Sequence, residues 1–294
     1  MVLLTLLLEA GFMKANNNLD QFYTKKESAL KCIQFFEKKV GKLTTFKHII
    51  EPSAGSGNIL ELLPSYSIGL DLDPANNKVL QQDYLKYSPT ALKAPILVFG
   101  NPPFGKNCSL AIKFFNHSAG FAKYVAFIVP RTFRKISVKN RLSLNFHLLD
   151  EMILPLDSFH TPDGESYSVP TTFQIWERKE EKREKIKKVK HICKDWDWTD
   201  DKTIATHAIR RVGAKAGQIY INPANTSEPS HYYIIANKPD IENKWKQVYC
   251  QYWDIEINLN PKWDVAGNPS LSKDEIAYYY SLYKRTKKVK KRAT

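Results

Sequence analysis

A short apolar run with a rigid end constrains this chain more than any other feature. Ala94-Pro95-Ile96-Leu97-Val98-Phe99-Gly100 reads as a buried β-strand, and Asn101-Pro102-Pro103-Phe104 follows it directly. A turn so placed sits at the carboxyl end of its strand, where open α/β sheets hold their ligands. The two prolines fix φ and stiffen the bend. The Asn101 side-chain oxygen and the Pro102 carbonyl can together accept both hydrogens of one planar amino group, and Phe104 offers a face to a flat ring. Asn101, Pro102, Pro103 and Phe104 are therefore the candidate catalytic residues, suited to an exocyclic amine such as adenine N6.

Strand and helix patterns alternate on either side of this turn. Leu30, Ile33, Phe36 and Val40 predict a helix over residues 28–42. A strand over 46–50 runs into Glu51-Pro52-Ser53-Ala54-Gly55-Ser56-Gly57, after which 58–63 reads as a helix. A second strand, 66–70, ends at Asp71-Leu72-Asp73-Pro74, and a further helix is expected after Pro74 with Asp73 as its cap. Asp83 and Tyr84 mark the next strand end. A helix over 108–119 and strands over 124–129, 149–156 and 171–176 complete an α/β, doubly wound sheet.

The motifs at the strand ends have a shared chemistry. Gly55 and Gly57 let the backbone approach a ligand closely. Asp71, at the end of the following strand, can take both hydroxyls of a ribose. Asp83 can accept a hydrogen bond from an adenine amino group while Tyr84 covers the ring. The turn lacks the G-x-G-x-x-G spacing that cradles a pyrophosphate, which favours a single adenosine over a dinucleotide.

Taken in order, Glu51 to Gly57, Asp71 to Pro74, Asp83 and Asn101 to Phe104 resemble the amino-methyltransferases that use S-adenosylmethionine to modify adenine N6. The order is that of the branch with the cofactor motifs first and a recognition domain at the C-terminus. Asp20-Gln21-Phe22-Tyr23-Thr24-Lys25 is similar to the segment this branch places before its first strand. The resemblance covers roughly residues 19–178. It implies a Rossmann-like methyltransferase sheet and a cofactor site built from Tyr23, Thr24, Glu51, Pro52, Ser53, Ala54, Gly55, Gly57, Asp71, Leu72, Asp83, Tyr84 and Asn101. Within that set, Tyr23 and Thr24 would hold the methionine end. A base inside a duplex cannot reach such a pocket, so the target must be flipped out or single-stranded. A second aromatic should then face Phe104, and Phe159 or Tyr167, in the loop over 158–167, can provide it.

Beyond residue 176 the composition shifts. The net charge is +14, and 25 of the 44 Lys and Arg residues lie in 177–294, which points to a polyanionic partner, DNA or RNA. Residues 177–190 are almost wholly Lys, Arg and Glu, read as a solvated helix, with 179–190 as a charged linker. Residues 191–283, with five of the six Trp, form a smaller basic α+β domain suited to nucleic-acid recognition. Residues 284–294 are a basic tail expected to be disordered. Two basic segments could hold phosphates: Arg131, Arg134 and Lys135 after one strand end, and Arg210, Arg211 and Lys215 further on.

Residues 1–18 read as an N-terminal extension, and Met13 suggests that 1–12 come from an upstream start. No stretch reaches membrane length. The four cysteines are widely spaced, which predicts no metal and a reduced, cytoplasmic setting, or a nuclear one in a eukaryote. Four functions fit in decreasing degree. The first is adenine-N6 methylation of DNA, followed by the same chemistry on RNA. Protein glutamine methylation fits less well, since Glu51-Pro52-Ser53 replaces the Asp-x-Gly-x-Gly start expected there. A catalytically dead binding subunit would predict a damaged turn or a lost Asp71, and both are intact.

Overall fold

A computed structural model describes residues 22–89, 95–186, 193–253, 262, 264 and 269–290. Residues 1–18, the last four residues of the tail and Trp263 lie outside the described residues. The core is a seven-stranded sheet in the order β4-β3-β2-β5-β6-β10-β7. Its strands are β2 (His48–Glu51), β3 (Ile68–Asp71), β4 (Leu80–Gln81), β5 (Ile96–Gly100), β6 (Tyr124–Pro130), β7 (Phe146–Ile153) and β10 (Thr171–Arg178). β2, β3, β4, β5 and β6 run parallel, and β10 lies antiparallel between β6 and β7. This is the Rossmann-like α/β sheet expected from the sequence.

Alternation along β5 explains why the run is apolar on both sides. Ile96 and Val98 pack on one face with Ala111, Ile112 and Phe115 of helix α2 (Ser109–Ser118). Leu97 and Phe99 pack on the other with Ala29, Cys32, Ile33 and Phe36 of helix α1 (Lys26–Lys39). A strand covered by helices on both faces must be apolar at every position. The chain leaves β2 toward β3 and β4 on one side and returns through β5 to β6 on the other. Between β2 and β5 the strand order therefore reverses, and the crevice at their carboxyl ends is the natural ligand site.

A second, three-stranded sheet lies beside that crevice: β1 (Tyr23–Thr24), β8 (Phe159–His160) and β9 (Ser166–Tyr167). A third sheet, antiparallel in the order β11-β14-β12-β13, comprises β11 (Trp196–Thr199), β12 (His207–Arg210), β13 (Ile219–Ile221) and β14 (His231–Ala236). It shares a core of Trp196, Ile209, Ile234, Trp245, Trp253 and Tyr280 with helices α4 (Ile241–Tyr252) and α5 (Lys273–Lys290). The short helix α3 (Ile136–Lys139) follows β6.

Four local expectations are corrected. Residues 58–63 form only a 3-10 turn, Leu60–Leu62. No helix follows Pro74: Asn76 accepts the Lys78 amide two residues on, a local turn that competes with a helix, and donates to the carbonyl of Ser56 in the glycine-rich turn 20 positions earlier. The described part of the charged run, 177–186, is no helix either: β10 continues to Arg178, and 179–186 is irregular chain pinned by Arg183, which donates to the Phe146 and Leu142 carbonyls. Residues 284–290, expected to be disordered, belong to α5.

Candidate active site

Three strand ends converge on one cleft. Glu51 closes β2, Asp71 closes β3, and Asn101 follows Gly100 at the end of β5. A cavity of about 360 Å³ lies over them, lined by Phe22, Tyr23, Pro52, Ser53, Gly55, Asp71, Leu72, Asp83, Tyr84 and the whole Asn101-Pro102-Pro103-Phe104 turn, among others. A smaller adjoining pocket, lined by Thr24, Glu51, Ala54, Ser56 and Asn58, shares Phe22, Tyr23, Ser53 and Asn101 with it. The larger volume falls within the roughly 300–1,000 Å³ usual for small-molecule sites.

The glycine-rich turn and the Asn-Pro-Pro-Phe turn are locked together. Ser53 Oγ donates to the Asn101 carbonyl at 2.7 Å. Asp71 holds the glycine turn, accepting the Gly55 amide on Oδ2 at 2.8 Å and the Asp73 amide on Oδ1 at 3.0 Å. Each carboxylate oxygen keeps a second lone pair. Gly55 has φ +50°, and a Cβ there would sit 2.7 Å from Tyr23 Cε1. The missing side chain is what lets the Tyr23 ring lie against the turn. Asp73 does not cap a helix, for none follows it.

Four residues that line the cleft each carry a buried polar oxygen with no hydrogen-bond partner among the described residues: Asn101 Oδ1, Glu51 Oε2, Thr24 Oγ1 and Ser56 Oγ. Buried polar atoms are normally satisfied, so each orphan asks for a ligand atom. Asn101 Nδ2 reaches only the Phe22 carbonyl, at 3.5 Å, the limit of a hydrogen bond. Glu51 is 2% exposed, and burial first, then the charge on Asp71, pushes its carboxyl well above the ordinary carboxylate range. Burial and the charges on Asp71 and Asp73 likewise raise the Tyr23 hydroxyl.

Other expected residues take different places. Asp83 lines the cavity but also caps a 3-10 turn, accepting the Leu85 amide at 2.9 Å. Tyr84 does not cover a ring. It is 1% exposed, its hydroxyl bonded to Ser118 Oγ and its ring packed on Phe114, so it forms part of the cavity wall. Leu72 is largely exposed at the cavity edge. Phe159 is fully buried in the core under the site and presents no face to a ligand. Tyr167 stacks on Phe22 and does not itself line either cavity.

The first basic segment is not a phosphate grip. Arg131 is buried, Arg134 pairs with Glu151 at 3.1 Å and Asp264 at 2.6 Å, and Lys135 pairs with Glu275 at 2.8 Å. The pairs with Asp264 and Glu275 tie the segment after β6 to the C-terminal part of the chain. Burial, outweighing the attraction of Arg134, pushes the Asp264 carboxyl up to about 6. Of the second segment, Arg210 donates to the Val212 carbonyl, Arg211 lies over the Tyr232 ring, and Lys215 is exposed. All three lie in or beside the four-stranded sheet, away from the cavity lining.

Sequence reasoning missed Phe22, which lines both cavities, and Leu110 and Phe114, which line the larger one. The i,i+4 spacing of Leu110 and Phe114 on one helix was the available signal. Phe22 carried none beyond its neighbours. Among the described residues no cluster of metal-ligating side chains occurs, and no helix is long and apolar enough to cross a membrane.

No protein-family model matches the chain, and no curated protein does. Among solved structures, a Pyrococcus horikoshii protein provisionally assigned as an RNA methyltransferase is 15% identical, covering 59% of this chain and 96% of its own, with a TM-score of 0.42. A Thermoplasma acidophilum protein is 13% identical over 53% of this chain and 88% of its own, with a TM-score of 0.36. The 23S rRNA methyltransferase ErmE is 13% identical over 52% and 69%, with a TM-score of 0.35. Scores this low say nothing about what the present chain binds or modifies.

Proposed function

We propose that the protein transfers the methyl group of S-adenosylmethionine to the N6 amine of adenine in a polynucleotide, DNA in the first reading. The observation that carries this is Asn101 Oδ1: a buried acceptor, unpartnered among the described residues, on a proline-stiffened bend that lines the cofactor-sized cavity. An asparagine kept for turn geometry would have its oxygen bonded to the chain.

The cleft fits the cofactor on three counts. Asp71 stands where a ribose would lie, its oxygens already fixed by backbone amides. Glu51, Thr24 and Ser56 cluster unpartnered oxygens in the small pocket, a set that matches an ammonium donor. Gly55 leaves room that any side chain would fill. When bound, S-adenosylmethionine supplies a methyl group activated on a sulfonium.

The residues of the chain do the rest. Adenine N6 is a poor nucleophile because its lone pair is delocalised into the ring. Asn101 Oδ1 and the Pro102 carbonyl would each accept one N6 hydrogen, drawing the amine toward tetrahedral geometry and stabilising the positive charge that grows on it. Preorganised dipoles of this kind commonly dominate catalysis, one lost contact costing on the order of 10²–10³ in rate. Phe104 would bear on the base, and the Ser53–Asn101 bond keeps the two turns in register for in-line attack. Residues 191–283 would present the nucleic acid, with Arg210, Arg211 and Lys215 as candidate phosphate contacts.

Purified protein incubated with methyl-labelled S-adenosylmethionine and, separately, duplex DNA, denatured DNA, total RNA and a glutamine peptide tests the reading. Label recovered as N6-methyldeoxyadenosine, and lost in Asn101→Ala, supports it. Label recovered as N6-methyladenosine moves the substrate to RNA with the same chemistry. Label on the peptide, or on nothing despite cofactor binding, ends it.

A further inference from the structure

We infer that Phe22, braced by Tyr167, is the second aromatic surface of the base clamp. The assignment rests on the base-methylation reading above and names a residue that reading left open. Of the two aromatics expected to face Phe104, Phe159 is fully buried and Tyr167 lines neither cavity. Phe22 lines both, and its carbonyl accepts from the Asn101 amide nitrogen at 3.5 Å. Both residues line the larger cavity, so a base whose amine Asn101 holds there lies within the same space that Phe22 walls.

The Phe22 ring is also held as a stacking surface should be. It lies face to face with Tyr167, centroids 3.8 Å apart and planes only 6° from parallel. One face of Phe22 is thus covered, and the opposite face is the one it can offer to the cavity. The backing is built into the small sheet: Phe159 pairs across with both Thr24 and Tyr167. Phe22, Tyr167 and Phe104 are each half-buried against the same core, with Phe159 and Val169 beneath. A ring fixed in this way loses little freedom when a base stacks on it. The stack accepts any base, so selectivity for adenine stays with the amine-holding turn.

The test uses whichever polynucleotide accepts label from the wild-type protein. Base stacking on an aromatic contributes about 1–3 kcal/mol, so Phe22→Leu should raise KM for that polynucleotide by about 5- to 150-fold. Its affinity for S-adenosylmethionine, read by equilibrium dialysis, should fall by clearly less than KM rises, and Phe22→Tyr should restore KM. Tyr167→Leu, which removes the brace from outside the cavity, should shift KM in the same direction by less, and it carries the test if Phe22→Leu does not fold. Equal loss of cofactor affinity in Phe22→Leu would place the ring in the cofactor pocket and overturn the inference, as would an unchanged KM in Phe22→Leu or Tyr167→Leu. A wild-type protein that labels no nucleic acid overturns the function itself, a result distinct from either of these.

Discussion

Asn101→Ala separates a catalytic turn from a structural one, because the two roles predict opposite effects on stability. Removing the side chain abolishes one of the two acceptors proposed for the target amine. By analogy with the loss of a single preorganised hydrogen-bonding group, kcat should fall on the order of 10²–10³, about 2.7–4 kcal/mol of transition-state stabilisation. The unliganded fold loses little. Among the described residues the side chain makes one hydrogen bond, Nδ2 to the Phe22 carbonyl at 3.5 Å, too long to contribute more than a few tenths of the roughly 0.5–1.5 kcal/mol of a normal bond. Against this, the buried, unpartnered Oδ1 now costs about 1–3 kcal/mol in lost hydration, and the substitution removes that cost. The variant should therefore unfold in urea at the wild-type midpoint or slightly above it while its single-turnover rate collapses. Asn101→Asp keeps an oxygen at the same place and should retain more activity than the alanine variant. A variant destabilised by more than about 2 kcal/mol with an unimpaired rate would refute the reasoning, since it would show the oxygen to be engaged in the fold.

Three further outcomes follow from the same geometry. Glu51→Gln should make the cofactor-free protein more stable near neutral pH. The raised Glu51 carboxyl contributes stability that is present below the ordinary carboxylate range and lost as pH rises through its folded value, so the glutamine variant should show a flatter stability–pH curve. The same variant should bind S-adenosylmethionine about 10- to 150-fold more weakly, as for a lost charged hydrogen bond of about 1.5–3 kcal/mol; unchanged affinity by calorimetry would show that Glu51 does not meet the ammonium. Gly55→Ala places a methyl 2.7 Å from Tyr23 Cε1 on a backbone with φ +50°, and should cost about 1–2 kcal/mol in the left-handed conformation alone and displace Tyr23 from the cavity; a wild-type melting temperature and cofactor affinity would contradict this. Asp264→Asn should remove a fall in stability between about pH 4 and pH 6, because the folded carboxyl is raised from 3.8 to about 6 and its benefit is lost as pH rises through that value. The full shift corresponds to about 3 kcal/mol, and an unaltered slope in urea titrations would show that the carboxyl ionises as freely as in the unfolded chain.

The sheet was legible in the sequence wherever burial on both faces left a strand with no polar position, as in β5 and β6. It was not legible where a side chain outbids the helix for backbone groups: the stretch after Pro74 has helical prospects on paper, but Asn76 accepts the Lys78 amide in a local turn and donates to Ser56 in the distant glycine turn. The basic segments failed for a different reason. Arg134 and Lys135 look like phosphate ligands in isolation, yet their partners Asp264 and Glu275 lie 130 and 140 residues further along the chain. Local reading cannot supply a counter-charge brought in by the fold, so a cation after a strand end is as well suited to fastening two parts of a protein as to holding a polyanion.

The same limit explains the site. Its chemical residues are polar and stand at strand ends, where a motif is read from consecutive letters. Its shape residues are apolar and come from elsewhere: Phe22 reaches Asn101 across 79 positions through the pairing of β1 with β8. An asparagine followed by two prolines announces what it can hold, whereas a phenylalanine gains its role only from what stacks behind it. If that ordering is general to this cleft, substitutions at Asn101 should change how fast a bound base is methylated, and substitutions at Phe22 how well the base is bound. The two classes should then be nearly additive in kcat/KM, since each acts on a different step. Strong non-additivity between Asn101→Asp and Phe22→Leu, measured as a double-mutant cycle, would mean instead that the ring positions the amine, and that the clamp and the turn work as one unit.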